Sequence, residues 1–256
     1  MRSGHYRLLL NGHSTNRLVR NLPNKKKLND FLRKCHNVMD GIDLNPYTIV
    51  IDVFGKNMIV TTASFKGGVG KTTTAVHVAA FLQKDGETLL VDGDPNRSAT
   101  RWSKRGMGFP FKVVSEQQAA KYGRNFKHIV IDTQARPDEE DLKDLVDGCD
   151  LLILPSTPDV LSLDALMQTV HLMKALGSGD YRVLLTRVPP PPRKDGEDAR
   201  EMLAEAGFPL FKGRVRELVA FQKAALEGLV VNQVSDRRAG VAWNDYVAIG
   251  REILNG

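Results

Sequence analysis

The sequence predicts an α/β domain, a mainly parallel twisted sheet with helices on both faces, and three observations predict it. From Met58 onward short apolar runs alternate with segments of helical character. A loop rich in glycine and lysine, residues 65–74, separates one such run from the helix that follows. Three carboxylates, Asp92, Asp94 and Asp132, lie at or just past the ends of two other runs. Strands joined through helices pair in parallel, and sheets of that kind bind ligands at the carboxyl ends of their strands.

The elements follow in order. Met58-Ile59-Val60-Thr61-Thr62-Ala63-Ser64 is apolar and β-branched enough for a buried strand, and Thr72 to Lys84 runs without Gly or Pro, as a helix requires. Further strands are predicted at 88–92, 111–114, 127–132, 150–154 and 181–188. Helices are predicted at 71–84, 97–105, 115–122, 138–147, 160–176, 196–206, 216–227 and 240–254. Upstream, 28–39 can form one helix and 47–54 one strand, but neither carries a motif. Pro189 to Pro192 forms a stiff loop wall. The acidic run Asp138 to Asp141, with Asp144 and Asp147, follows Pro137 and suits a solvated helix start, where negative charge complements the dipole.

The loop reads Phe65-Lys66-Gly67-Gly68-Val69-Gly70-Lys71-Thr72-Thr73-Thr74. The general phosphate-binding pattern asks for glycine where Phe65 stands, so this is a variant with a second lysine, Lys66. Glycines let successive N–H groups point inward, and the helix start adds unpaired donors and a positive dipole end. A helix terminus contributes about 0.3–2 kcal/mol. One ammonium about 4 Å from a phosphate charge contributes on the order of 4 kcal/mol at an effective dielectric near 20, before desolvation is charged against it. The lysines and a metal therefore dominate: Lys71 is placed for the β- and γ-phosphates, and the Thr72 hydroxyl for Mg²⁺. The domain is thus expected to be a P-loop NTPase using ATP and Mg²⁺.

The string Lys66-Gly67-Gly68-Val69-Gly70-Lys71-Thr72-Thr73 resembles the deviant Walker A motif of the ParA/MinD ATPases, and the similarity runs through most of residues 58–256. The resemblance implies ParA-type behaviour. ATP is sandwiched between two subunits, each Lys66 reaching the other chain's nucleotide, so that ATP binding favours the homodimer and hydrolysis the monomer. By the same resemblance Asp94 orients or activates the attacking water, Asp92 lies in the same Mg²⁺-side segment, and Asp132 is the Walker B aspartate that holds Mg²⁺ through water. For any one strand-end aspartate a helix cap or turn is the competing reading. Gly93, Asn96 and Gln134 to Pro137 depart from the family pattern. Adenine recognition rests on analogy at Thr186, where relatives often carry Asn.

Composition bounds the function. The chain has 256 residues, 42% hydrophobic and 26% charged, enough for one substantial core. Cys35 and Cys149 form no C-x-x-C pair, which fits a reducing cytoplasm and excludes cluster-based electron transfer. No apolar run reaches the roughly eighteen residues of a membrane span. Residues 1–57 hold ten basic and four acidic residues, whereas 58–256 hold 26 of each. All the excess charge thus precedes the ATPase domain, in a basic extension that is either a nucleic-acid arm or an upstream appendage.

Between Leu210 and Gly240 basic residues slightly outnumber acidic ones. In ParA-type relatives such residues line a dimer surface for DNA of any sequence, and Arg214, Arg216, Arg237 and Arg238 are the candidates here; an ordinary solvated surface is the competing reading. The resemblance therefore implies an enzyme on the nucleoid that positions a plasmid, chromosome or protein assembly such as carboxysomes, released when a cargo-linked adaptor stimulates hydrolysis. The alternatives are a nucleotide-dependent regulatory module acting through the basic N-terminal arm, and a MinD-like membrane-associated ATPase. The last needs a basic amphipathic C-terminal helix, which residues 241–254, with one base and two acids, do not supply.

Overall fold

The computed structural model describes residues 58–135, 139–175 and 180–255. The extension, its helix at 28–39 and its strand at 47–54 lie outside the described residues, as do Arg136, Pro137 and Asp138. Six strands form one sheet in the order β3-β2-β4-β1-β5-β6, with every pair parallel. They are β1 Met58–Ser64, β2 Thr88–Asp92, β3 Lys112–Ser115, β4 His128–Ala135, β5 Leu151–Ser156 and β6 Tyr181–Leu185. The helices are α1 Lys71–Leu82, α2 Ser98–Ser103, α3 Glu116–Tyr122, α4 Glu139–Asp147, α5 Val160–Ala175, α6 Asp195–Glu205, α7 Val219–Glu227 and α8 Ala239–Leu254.

Strand alternation builds the layers. Val60, Leu90, Val130, Ile153 and Leu184 face one side and pack with α1 and α8 through Val76, Ala79, Trp243, Tyr246 and Ile249. Their neighbours in sequence face the other side: Leu152, Leu154, Val183 and Leu185 pack with Leu166, Val170 and Leu203, and Ile59, Leu89, Val91 and Ile129 with Ala119. Burial of each large aliphatic side chain contributes about 1.5–3 kcal/mol. With both faces covered, the strands read as continuous apolar runs.

The expected helix at 216–227 begins only at Val219. Residues 209–217 instead run extended along β6: Val183 N–H donates to the Pro209 carbonyl, Val215 N–H to Leu185, and Glu217 N–H to Val188. Phe211 and Val215 are buried there, so pairing with an open sheet edge outweighs helical propensity. The strand expected at 181–188 ends at Leu185, because Arg187 turns the chain with φ 48°.

Helix α1 is apolar nearly all round, yet it carries His77, which is fully buried. The Val231 N–H donates to His77 Nε2 at 3.1 Å, so Nδ1 carries the proton and donates to the Thr73 carbonyl at 2.7 Å. Burial pushes its pKa from 6.5 down to about 4, against the opposing pull of the Thr73 bond. The unfolded chain therefore binds a proton near pH 6.5 that the folded chain refuses until about pH 4, and stability falls as pH drops through that window. Urea titrations from pH 7 to pH 4.5 are expected to show wild type losing up to about 3 kcal/mol more than His77→Gln. Equal losses in both proteins would contradict a neutral buried imidazole.

Candidate nucleotide site

The loop between β1 and α1 lies at the carboxyl edge of the sheet, on the central strand. Gly68 has φ 81° and Gly70 φ 87°, left-handed values that explain glycine at both positions. No side chain caps α1, leaving its first N–H groups available to an anion. The loop is braced from β6: Thr186 Oγ1 donates to the Val69 carbonyl at 2.6 Å, and Arg187 Nη1 to the Gly68 carbonyl at 3.3 Å. Among the described residues, Arg187 and Arg97 alone combine a side chain with positive φ, and both sit beside this edge. Arg97 Nη1 holds the Asp92 carbonyl at 2.5 Å.

Lys71 lies inside the cradle, 8% exposed. Its Nζ donates to Asp132 Oδ1 at 3.1 Å and to the Thr133 carbonyl. Asp132 is wholly buried where the apolar run of β4 ends, three residues before the strand itself stops at Ala135, and this burial pushes its carboxyl pKa up against the opposing influence of Lys71 and Thr72. Asp132 Oδ2 and Asp92 Oδ1 are buried without a hydrogen-bond partner. Unpaired buried oxygens are costly, and these two belong to residues paired in register on neighbouring strands, hard oxygen donors of the kind that suit Mg²⁺. Among the described residues no group of three or more His, Cys, Asp or Glu could enclose a metal.

The other carboxylates are partly engaged. Asp92 Oδ2 accepts the Thr100 N–H at 2.8 Å and the Thr100 hydroxyl at 2.6 Å, anchoring α2, so only Oδ1 faces the site without a partner. Asp94 is held in its own turn, accepting the Asn96 N–H at 2.8 Å, while Gly93 N–H ties the segment to the Asp132 carbonyl at 2.8 Å. The structure thus gathers Lys71, Thr72, Asp92 and Asp132 and sets Asp94 at their edge.

Lys66 is placed differently. Its Nζ lies 2.8 Å from Asp159 Oδ1 and 2.9 Å from Ser162 Oγ, at the start of α5 and away from the cradle. Burial opposes ionisation of Asp159, but hydrogen bonds from Lys66, Thr157 and Ser162 outweigh it and hold the carboxyl below its ordinary range. A carboxylate just past an apolar strand is the signal that also marks Asp92 and Asp132, and it could have found Asp159.

Two of the four basic candidates, Arg214 and Arg216, are matched by acids. Arg214 pairs with Glu197 at 2.6 Å, and Arg216 with Asp245 at 2.5 Å, which raises the Arg216 pKa further. Both line a cleft of about 300 Å³ together with Arg200, Lys212 and Asn244. Arg200, which segment counting missed, donates to the carbonyls of Phe211 and Gly213. Arg237 and Arg238 are exposed before α8.

A glycine cradle between strand and helix, a buried lysine on a strand-end aspartate and an all-parallel sheet define a P-loop nucleotide-binding domain. Residues 60–248 match the CobQ/CobB/MinD/ParA nucleotide binding domain, and the chain belongs to that family. It is 37% identical over 201 residues to maintenance of carboxysome distribution protein A of Gloeobacter kilaueensis, covering 76% of this chain and 93% of that relative. Among solved structures, the fold matches a plasmid partition protein of Borrelia burgdorferi bound to AMPPNP, with TM-score 0.61, 19% identity and coverage of 78% and 99%. It also matches an ATP complex of Cyanothece McdA, with TM-score 0.62, 14% identity and coverage of 78% and 97%.

Proposed function

We propose that this chain is a positioning ATPase of the ParA type: with Mg·ATP it pairs as a homodimer, binds nucleoid DNA without sequence preference, and lets go when a cargo-linked adaptor stimulates hydrolysis. The observation that carries the reading is the division of labour between the two loop lysines. Lys71 is buried in its own cradle, whereas Lys66 is 34% exposed and turned outward to the rim. Lys71 would serve the chain's own phosphates, which leaves Lys66, once released from Asp159 and Ser162, for a second chain's nucleotide. A γ-phosphate bridged in this way ties pairing to ATP, because its loss removes the charge the partner's lysine reads. Mg²⁺ would be held by Thr72 and, through water, by Asp132, and would neutralise phosphate charge there. The likeness to the carboxysome distribution protein supports a protein assembly as cargo.

DNA phosphates would be met by Arg237, Arg238, Arg200 and Lys212; Arg214 and Arg216 would have to exchange Glu197 and Asp245 for phosphate. Pairing doubles such contacts, so DNA retention follows ATP. A membrane role is disfavoured, since Trp243, Tyr246, Ile249 and Ile253 of α8 are buried in the core rather than free for lipid. Among the described residues no helix is long and apolar enough to cross a membrane.

The test is Asp94→Ala. Hydrolysis is expected to fall by at least about a hundredfold, as loss of a general base typically costs, while ATP-dependent pairing and DNA retardation persist. Wild-type turnover in this variant would contradict the assignment of Asp94, and retardation indifferent to ATP and ADP would contradict the gate.

A further inference from the structure

Resting on the pairing model above, we infer that Asp159 and Ser162 are positioning residues: they form an autoinhibitory berth that holds Lys66 within its own chain and sets the ATP-dependent pairing equilibrium. The berth exists independently of Lys66. Ser162 N–H donates to Asp159 Oδ1 at 3.1 Å, Ser162 Oγ to Oδ2 at 2.7 Å, and Thr157 Oγ1 to Oδ2 at 2.5 Å. The Thr157 and Ser162 hydroxyl oxygens lie 2.6 Å apart, so their two protons serve a closed triangle of contacts with Oδ2. The carboxylate is thereby fixed at the first turn of α5, 93 residues along the chain from the lysine it holds. Such preorganisation lowers the entropy lost when the lysine docks.

One ammonium cannot remain on Asp159 and also contact a nucleotide in another chain, so pairing must break this contact. Lys66 and Asp159 are 34% and 52% exposed, which leaves water to screen the pair and keeps the berth weak enough to open. Beside it Val160 and Leu161 are 72% and 71% exposed, so among the described residues this rim is open to an approaching surface. Two berths open per dimer, and the effect of one enters the dimer dissociation constant squared. A partly exposed pair shifts an equilibrium about two- to fivefold, so removing both berths is expected to tighten pairing by roughly 4–25-fold.

Asp159→Asn tests this, because asparagine caps α5 as well as aspartate does while discarding the charge. Pairing is measured by sedimentation with ATP and with a slowly hydrolysed analogue, beside ATP affinity at protein concentrations too low for pairing. The expected result is a dimer constant tightened by roughly 4–25-fold with monomer ATP affinity unchanged, and a smaller shift in the same direction for Ser162→Ala. Pairing in Asp159→Asn that equals or falls below wild type overturns the berth while leaving the pairing model intact. Wild type that stays single at every ATP concentration overturns both.

Discussion

Lys71→Ala is expected to abolish ATP binding, with affinity reduced by at least about a hundredfold in calorimetry. An ammonium near a phosphate charge contributes on the order of 4 kcal/mol, or about three orders of magnitude, and the cost of drawing Lys71 off Asp132 reduces that sum. The resting contact at 3.1 Å holds Lys71 on Asp132 inside the cradle, so in the proposed site nucleotide would draw it off a carboxylate rather than recruit it from solvent. Removing it also strands a buried carboxylate, and breaking such a pair costs about 3–5 kcal/mol of stability. Lys71→Ala/Asp132→Asn isolates the stability effect, since it removes the stranded charge without restoring the cation, while its ATP affinity falls further through loss of the proposed Mg²⁺-holding carboxylate. Wild-type affinity in either variant would show that the loop holds phosphate through its backbone alone.

The second large effect belongs to Lys66→Ala. Its nucleotide affinity as a monomer is expected to remain near that of wild type, because Nζ sits on α5 and not in the cradle. Each dimer would lose two charge-assisted contacts of about 1.5–3 kcal/mol, weakening pairing by roughly 10²–10⁴-fold. This variant also empties the berth, which favours pairing, but that gain is smaller than the loss. Opposite outcomes at two ends of one contact, tighter pairing without Asp159's charge and none without Lys66, distinguish a latch from a simple structural ion pair.

Much of this was legible in the chain itself. Strands at 58–64 and 88–92 stand where the apolar runs place them, because both faces of a parallel sheet are buried and the boundaries coincide with Gly and Asp. The cradle was legible because left-handed turns demand glycine, and its lysine because strand, loop and helix stand in order. What escaped are contacts made by remote segments. Thr186 and Arg187 brace a loop 117 to 119 residues away, and no local pattern announces that. Arg214 and Arg216 looked like free charge because counting along one segment ignores Glu197 on α6 and Asp245 on α8, which the fold brings against them. The helix expected from residue 216 starts at Val219, because the Val215 and Glu217 N–H groups donate to the carbonyls of Leu185 and Val188 and hold the preceding residues along β6 and its continuation.

The central claim is that ATP governs whether this protein is single or paired, through Lys66. Sedimentation of wild type and Lys66→Ala across protein concentration, each with ATP analogue and with ADP, tests it most directly. The account predicts a dimer for wild type with the analogue and monomers in the three other cases. The same assembly for wild type under both nucleotides, or an analogue-dependent dimer without Lys66, would contradict it.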